Sequence, residues 1–165
     1  LAGVALTPAL FNEMMKNPRV IGVKHSAAPI QDIQIFKSLS EGKSVVFNGF
    51  DEQFVGGFAM GADAGIGGTY GAMPELFLKM YDLLKQGRVE EARQIQYRVN
   101  EIITLLCSCH GNMYAVIKEV LRRREQLAIG SVRAPLVGVI EDDQAGIDKA
   151  VNKIDEAMEF IKSLD

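Results

Sequence analysis

Val20-Ile21-Gly22-Val23-Lys24 is an unbroken apolar run that ends on a lysine. Four apolar or small residues with no polar alternation read as a strand buried on both faces. Working outward, Thr7-Pro8 upstream is a helix start, with Thr7 as N-cap and Pro8 at the first helical position. That helix is expected over 8–16 and ends at Asn17-Pro18. Downstream, Pro29 opens a second helix with Ile33, Phe36 and Leu39 on one face, closed near Gly42. Ser44-Val45-Val46-Phe47 is a second buried strand, and Asn48-Gly49-Phe50 is the loop after it.

The same alternation continues more weakly. A helix is expected over 51–60, ended by Gly61, and a third, glycine-rich strand over 62–67. A helix follows from Pro74 to Leu84, stopped by Gln86-Gly87. From Arg88 onward the pattern is helical, with helices expected over 89–108, 113–127 and 144–164 and a loop over 131–143. Strands alternating with helices imply parallel strands joined by crossovers. The organisation expected is an α/β portion over 1–87 and a helical region over 88–165.

Composition excludes several classes of function. With 165 residues, 48% hydrophobic and 24% charged, the chain suits an ordinary globular domain. A net charge of -3 gives no reason to expect a nucleic-acid partner. Its one dense basic stretch, Arg122-Arg123-Arg124, reads as a solvated helix face. No apolar run is long enough to span a bilayer. Cys107 and Cys109, two apart on a helix, point to different faces, so no disulfide framework is expected and a reducing, cytoplasmic setting fits. His25 and His110 lack partners at metal-ligand spacing, and Ser26 lacks a visible base, so neither a metal site nor a hydrolase triad is expected.

Three segments could carry chemistry. Lys24 closes a strand, and strand C-termini are where barrels build their sites. Partial desolvation there would favour the uncharged amine, a nucleophile toward ketones; a surface lysine at a strand end is the bland alternative. Asp51 and Glu52, just past the second strand, could accept hydrogen bonds from substrate hydroxyls or simply sit at a helix N-terminus. Gly65-Ile66-Gly67-Gly68-Thr69-Tyr70-Gly71 lets backbone approach a ligand closely, or serves as a flexible turn. It fails the dinucleotide spacing, because Tyr70 stands where the last glycine should be.

Taken together, Gly22-Val23-Lys24-His25-Ser26, Phe47-Asn48-Gly49-Phe50-Asp51-Glu52 and Gly61-Ala62-Asp63-Ala64-Gly65-Ile66-Gly67 resemble, in order and spacing, one family. It is the family of pyruvate-dependent aldolases that includes sialic acid lyase and dihydrodipicolinate synthase. Arg133-Ala134-Pro135 resembles an Arg-x-Pro element of the family's helical region. The resemblance implies the C-terminal portion of a TIM (β/α)8 barrel, about strands 6–8, followed by a helical extension. It implies Lys24 as the imine-forming residue, with no metal or organic cofactor. Asn48-Gly49-Phe50-Asp51-Glu52 is similar to the sialic acid lyase branch rather than the synthases. That implies cleavage of N-acetylneuraminate to N-acetylmannosamine and pyruvate, with Ser26, Gly49, Asp51, Glu52, Gly67 and Gly68 binding substrate. Two positions depart from the pattern: Gly68 stands where many lyases carry a serine, and Leu136 where an aromatic lines the pocket.

The family's barrel has eight strands, and this sequence carries three, beginning at Leu1 rather than a methionine. We therefore expect a partial barrel completed by an N-terminal half. That half would supply the proton-transferring tyrosine and the loop that holds the keto acid's carboxylate. A homotetramer is the assembly that the resemblance implies. The alternatives are a related aldolase or dihydrodipicolinate synthase-like enzyme, and a non-catalytic half-barrel that serves as an assembly module.

Overall fold

A computed structural model describes residues 3–164 and divides the chain into two compact units, Leu1–Gly67 and Gly68–Asp165. The first unit contains α1 (Pro8–Met15), β1 (Gly22–His25), α2 (Gln31–Leu39), β2 (Val45–Asn48), a 3-10 turn (Asp51–Gln53), α3 (Phe54–Ala59) and β3 (Ala64–Gly65). The strands form a parallel sheet in the order β1-β2-β3, with Lys24 paired to Phe47 and Phe47 to Ala64. This is the parallel, helix-linked arrangement read from the sequence.

Alternation across the sheet sorts its residues. Val23, His25 and Val46 face the helices, where Phe11, Ile33, Phe36, Val46 and Ala62 form a buried core. The rings of Phe11 and Phe36 lie 4.8 Å apart. Gly22, Lys24, Val45 and Phe47 stand on the opposite face. Gly22 must be glycine because a β-carbon there would sit 1.8 Å from the Val45 carbonyl oxygen. Leu39, grouped by periodicity with Ile33 and Phe36, is instead 38% exposed at the end of α2.

β3 is two residues long, not the six expected, for a physical reason. Asp63 Oδ2 accepts the Val46 N–H at 2.7 Å, so a carboxylate takes a ladder position of β2. Lys37 Nζ holds the same carboxylate at 3.0 Å and reaches the Ser44 carbonyl oxygen at 3.1 Å. Burial works against the ionised form of Asp63, but the Val46 N–H and the Lys37 ammonium outweigh it and keep its carboxyl below the usual range. Similarly, the helix expected over 51–60 is a 3-10 turn followed by a short α3. It ends as expected at Gly61, with φ +95°.

The second unit contains a 3-10 turn (Thr69–Gly71), α4 (Pro74–Lys85), α5 (Val89–Cys107), α6 (Met113–Glu125), a further 3-10 turn (Glu141–Asp143) and α7 (Gln144–Lys162). Leu76, Met80 and Leu83 of α4, Ile95, Val99 and Ile102 of α5, Val116 and Val120 of α6, and Ile147 and Ile154 of α7 are buried. Because α4 packs with α5 and α7, the compact units part at Gly67 and Gly68. Arg122-Arg123-Arg124 is not a solvated face. Arg123 and Arg124 keep side-chain exposures of 17% and 14%. Arg123 pairs with Glu119 and Asp148, and Arg124 with Asp155 while donating to the Ala72 carbonyl oxygen. Only Arg122 is open to solvent.

Asp143 staples the loops of this unit. Its carboxylate accepts the backbone N–H groups of His110, Gly111 and Ile140 at 2.6 to 3.0 Å and meets His110 Nδ1 at 3.0 Å. Burial opposes its charge, but these donors win and hold its pKa at about 2, against an ordinary 3.8. A folded-state pKa below the unfolded one contributes stability that is complete above about pH 4 and is lost as pH falls toward 2. Asp143→Asn is therefore expected to lower the Tm at neutral pH, with the gap to wild type closing through this acid window. Thermal unfolding of both proteins between neutral pH and pH 2 checks it.

Candidate active site

The C-terminal ends of β1 and β2 bring the first candidates together. Gly49 N–H donates to the His25 carbonyl oxygen at 2.7 Å, joining the two loops that leave these strands. A β-carbon on Gly49 would lie 2.1 Å from Ser26 Oγ and 2.9 Å from Lys24 Cε. The lysine stem and the serine hydroxyl thus converge on Gly49, and only glycine leaves room for both. Lys24 is the third residue of β1, not its last, and its side chain is exposed rather than partly desolvated. It stands on the sheet face away from the helices, and among the described residues β1 pairs with β2 alone. A shallow hollow of about 270 Å³, lined by Ile21, Gly22, Val23, Lys24, Val45 and Phe47, runs along this face.

Asp51 and Glu52 part company. Asp51 is 6% exposed, whereas Glu52 is open to solvent. The Asp51 carboxylate lies directly on Gly67, where a β-carbon would sit 1.4 Å from Oδ1. Gly67 is therefore a seat for a carboxylate. Gly68, the next residue, belongs to the second unit, and its neighbours there are Tyr114 and Met113. Leu136 is 44% exposed in the loop before α7.

Asn48, quoted in the sequence as the start of a loop, is the last residue of β2 and has a structural task. It is 1% exposed; its Nδ2 donates to the Phe50 carbonyl oxygen at 2.6 Å, and its backbone carbonyl accepts Ile66 N–H at 2.9 Å. Its amide also packs on Gly57, where a β-carbon would come within 2.3 Å of Oδ1. The turn that carries Asp51 and the segment that leads to Gly67 are thus fixed by one buried residue, through its side-chain amide and its backbone carbonyl respectively. The signal was available: Asn48 shares a face with Val46, and a polar side chain at a buried register position must find partners. Among the described residues no group of three or more His, Cys, Asp or Glu side chains is placed to hold a metal ion, and no helix is long and apolar enough to cross a membrane.

An amine stem, a hydroxyl and a buried carboxylate therefore line one rim of a parallel sheet, in the order in which the sequence delivers them. Comparison with known proteins gives this arrangement a lineage. The chain is 54% identical over 157 residues to an N-acetylneuraminate lyase of Mediterraneibacter gnavus, covering 95% of this chain and 50% of that protein. It is 34% identical over 139 residues to an N-acetylneuraminate lyase of Rhizobium meliloti, covering 84% of this chain and 45% of that protein. It superimposes on wild-type Ruminococcus gnavus sialic acid aldolase with a TM-score of 0.94 at 53% identity, over 96% of this chain and 53% of that one. A catalytic-lysine mutant of the same aldolase gives the same TM-score at 52% identity, over 96% of this chain and 52% of that one. The chain spans about half the length of the curated relatives it matches. The family model that describes the Dihydrodipicolinate synthetase family matches residues 1–154, and with the TIM-barrel architecture of that family accounting for the parallel sheet and its lysine-bearing strand, the chain belongs to this family.

Proposed function

We propose that residues 1–87 supply about the sixth to eighth strands of a (β/α)8 barrel and 88–165 its helical extension. Joined to the N-terminal half of the barrel, they work as a class I lyase that cleaves N-acetylneuraminate into N-acetylmannosamine and pyruvate. The observation that carries this reading is the convergence of Lys24 Cε and Ser26 Oγ on Gly49, two residues before a carboxylate seated on Gly67. The similarity to N-acetylneuraminate lyases supports it further. A cytoplasmic homotetramer is the assembly that goes with the reading.

The chemistry then follows from the residue types. The Lys24 amine adds to the C2 ketone of the open-chain sugar acid and, with loss of water, forms a protonated imine. A base contributed by the N-terminal half takes the proton of the C4 hydroxyl. The C3–C4 bond breaks, and its electron pair flows into the imine, leaving an enamine on Lys24 and releasing N-acetylmannosamine. Protonation at C3 and hydrolysis free pyruvate and restore the amine. The imine is the electron sink, so no cofactor is required. Closing the barrel over the exposed face of β1 and β2 would exclude water from Lys24. Asp51 and Glu52 accept hydrogen bonds from the hydroxyls of the sugar's tail, with Gly49, Gly67 and Gly68 giving the backbone close access and Ser26 a further hydroxyl.

The test is product analysis of the assembled enzyme with two substrate sets: N-acetylneuraminate alone, and pyruvate with aspartate semialdehyde. Release of N-acetylmannosamine and pyruvate from the first is the expected result. Faster condensation of the second would replace this reading with a synthase.

A further inference from the structure

We propose that His25 is a positioning residue for Lys24, acting through Asp32 to fix the end of β1. Resting on the reading of Lys24 as the imine-forming amine, this gives a task to a buried titratable side chain that the imine chemistry does not use. His25 is the last residue of β1 and is 5% exposed on the helix-facing side of the sheet, with Lys24 beside it on the opposite side. Its ring lies 6.3 Å from that of Phe36, and its Nε2 is buried with no hydrogen-bond partner among the described residues. A buried ring nitrogen left in that state is costly, so it needs a partner. Asp32 Oδ2, in the first turn of α2, stands 3.6 Å away. The Asp32 side chain is 31% exposed, and a small rotation of its carboxylate closes the roughly 0.6 Å that separates this contact from an ordinary hydrogen bond. Nε2 donates to it as the N–H of the neutral tautomer or of the imidazolium.

The backbone of the same residue reaches the rim. The His25 carbonyl oxygen accepts the Gly49 N–H at 2.7 Å, and a β-carbon on Gly49 would meet Ser26 Oγ, this carbonyl oxygen and Lys24 Cε, all within 2.9 Å. Lys24, His25 and Ser26 therefore close on one glycine. In an extended strand neighbouring side chains leave opposite faces, so a twist of the backbone at His25 swings Lys24 the other way and carries its stem off Gly49. Among the described residues β1 has a ladder partner on one side only, so pairing restrains such a twist less than it would in a central strand. An imidazole anchored to α2 supplies the missing restraint. Misplacing a reacting group by about 1 Å costs up to about 100-fold in rate.

The rate of borohydride-trapped imine formation with pyruvate, kcat and KM for N-acetylneuraminate, and Tm are measured on the assembled enzyme. The proteins compared are wild type, His25→Phe, Asp32→Ala, Asp32→Asn and the double variant His25→Phe/Asp32→Ala. His25→Phe keeps a ring in the core and removes the nitrogen. It is expected to slow trapping and lower kcat together by about 10-fold, the range of one hydrogen bond to a charged group, with KM within about 2-fold. Asp32→Ala should reproduce that loss, and Asp32→Asn, which keeps an acceptor oxygen, should recover most of it. The double variant should be no slower than His25→Phe alone. A merely structural role would lower Tm in His25→Phe and leave trapping by the folded enzyme at the wild-type rate. Wild-type trapping in His25→Phe or in Asp32→Ala, or losses that multiply in the double variant, overturns the proposal while leaving the lyase reading standing. The two Asp32 variants decide it alone if His25→Phe does not fold. A wild-type enzyme that neither traps pyruvate nor cleaves the sugar acid overturns both.

Discussion

Lys24→Ala is expected to abolish cleavage of N-acetylneuraminate in the assembled enzyme, by about 10³-fold or more in kcat, while leaving the fold unchanged. The fold should survive because Lys24 is exposed on its strand and contributes nothing to the core of Phe11, Ile33, Phe36 and Val46. Its β1 neighbours keep their ladder to Val45, Val46, Phe47 and Asn48 whatever side chain stands at 24. The activity should not survive, because a covalent nucleophile is not replaced by its surroundings once it is removed. Steady-state cleavage assays and circular dichroism of the same preparation separate the two effects. An enzyme that keeps more than about a tenth of its kcat without Lys24 would need another electron sink.

The second large effect belongs to Gly67→Ala. An added β-carbon would stand 1.4 Å from Asp51 Oδ1, far inside contact distance, so either the carboxylate or the Gly65–Gly67 backbone must move. The backbone is tied by Ile66 N–H to the Asn48 carbonyl and by the pairing of Asn48 with Gly65. The carboxylate is therefore expected to give way. An Asp51 displaced from its seat can no longer meet the hydroxyls of the sugar tail, and we expect KM for the sugar acid to rise about 10- to 100-fold. Trapping of pyruvate on Lys24 should change little, since the atoms an added β-carbon meets first are all those of the Asp51 carboxyl group. Equal losses in both measurements would mean that Gly67 serves the whole rim and not the Asp51 carboxylate.

Much of this architecture was legible in the sequence, and the pieces that were not fail for identifiable reasons. Continuous apolar runs at 20–24 and 44–47, each followed by a helix signal, were enough to place β1 and β2 and their parallel pairing. The capping pair Thr7-Pro8 placed α1, and Thr7 Oγ1 indeed accepts the Leu10 N–H at 3.2 Å. Periodicity could not show that Asp63 would substitute for a strand partner of Val46, because a carboxylate on a ladder N–H leaves no trace in apolar spacing. Arg123 and Arg124 looked like a solvated face for a related reason: Asp148 and Asp155 of α7, which pair with them, meet them only in three dimensions. At the rim, residue types singled out Lys24, Gly49 and Asp51 as candidates, and the structure brings the Lys24 stem to Gly49. The reason for Gly67, a carboxylate lying on its α-carbon, required coordinates. The exposure of Lys24 was likewise invisible, since it depends on what covers the far face of the sheet.

The most direct measurement is borohydride reduction of the assembled enzyme in the presence of pyruvate, followed by peptide mass analysis. Lys24 is expected to carry a pyruvate-derived adduct that is absent without pyruvate and absent in Lys24→Ala. An adduct on a different lysine, or none on an enzyme that still releases pyruvate from the sugar acid, would contradict imine formation at Lys24.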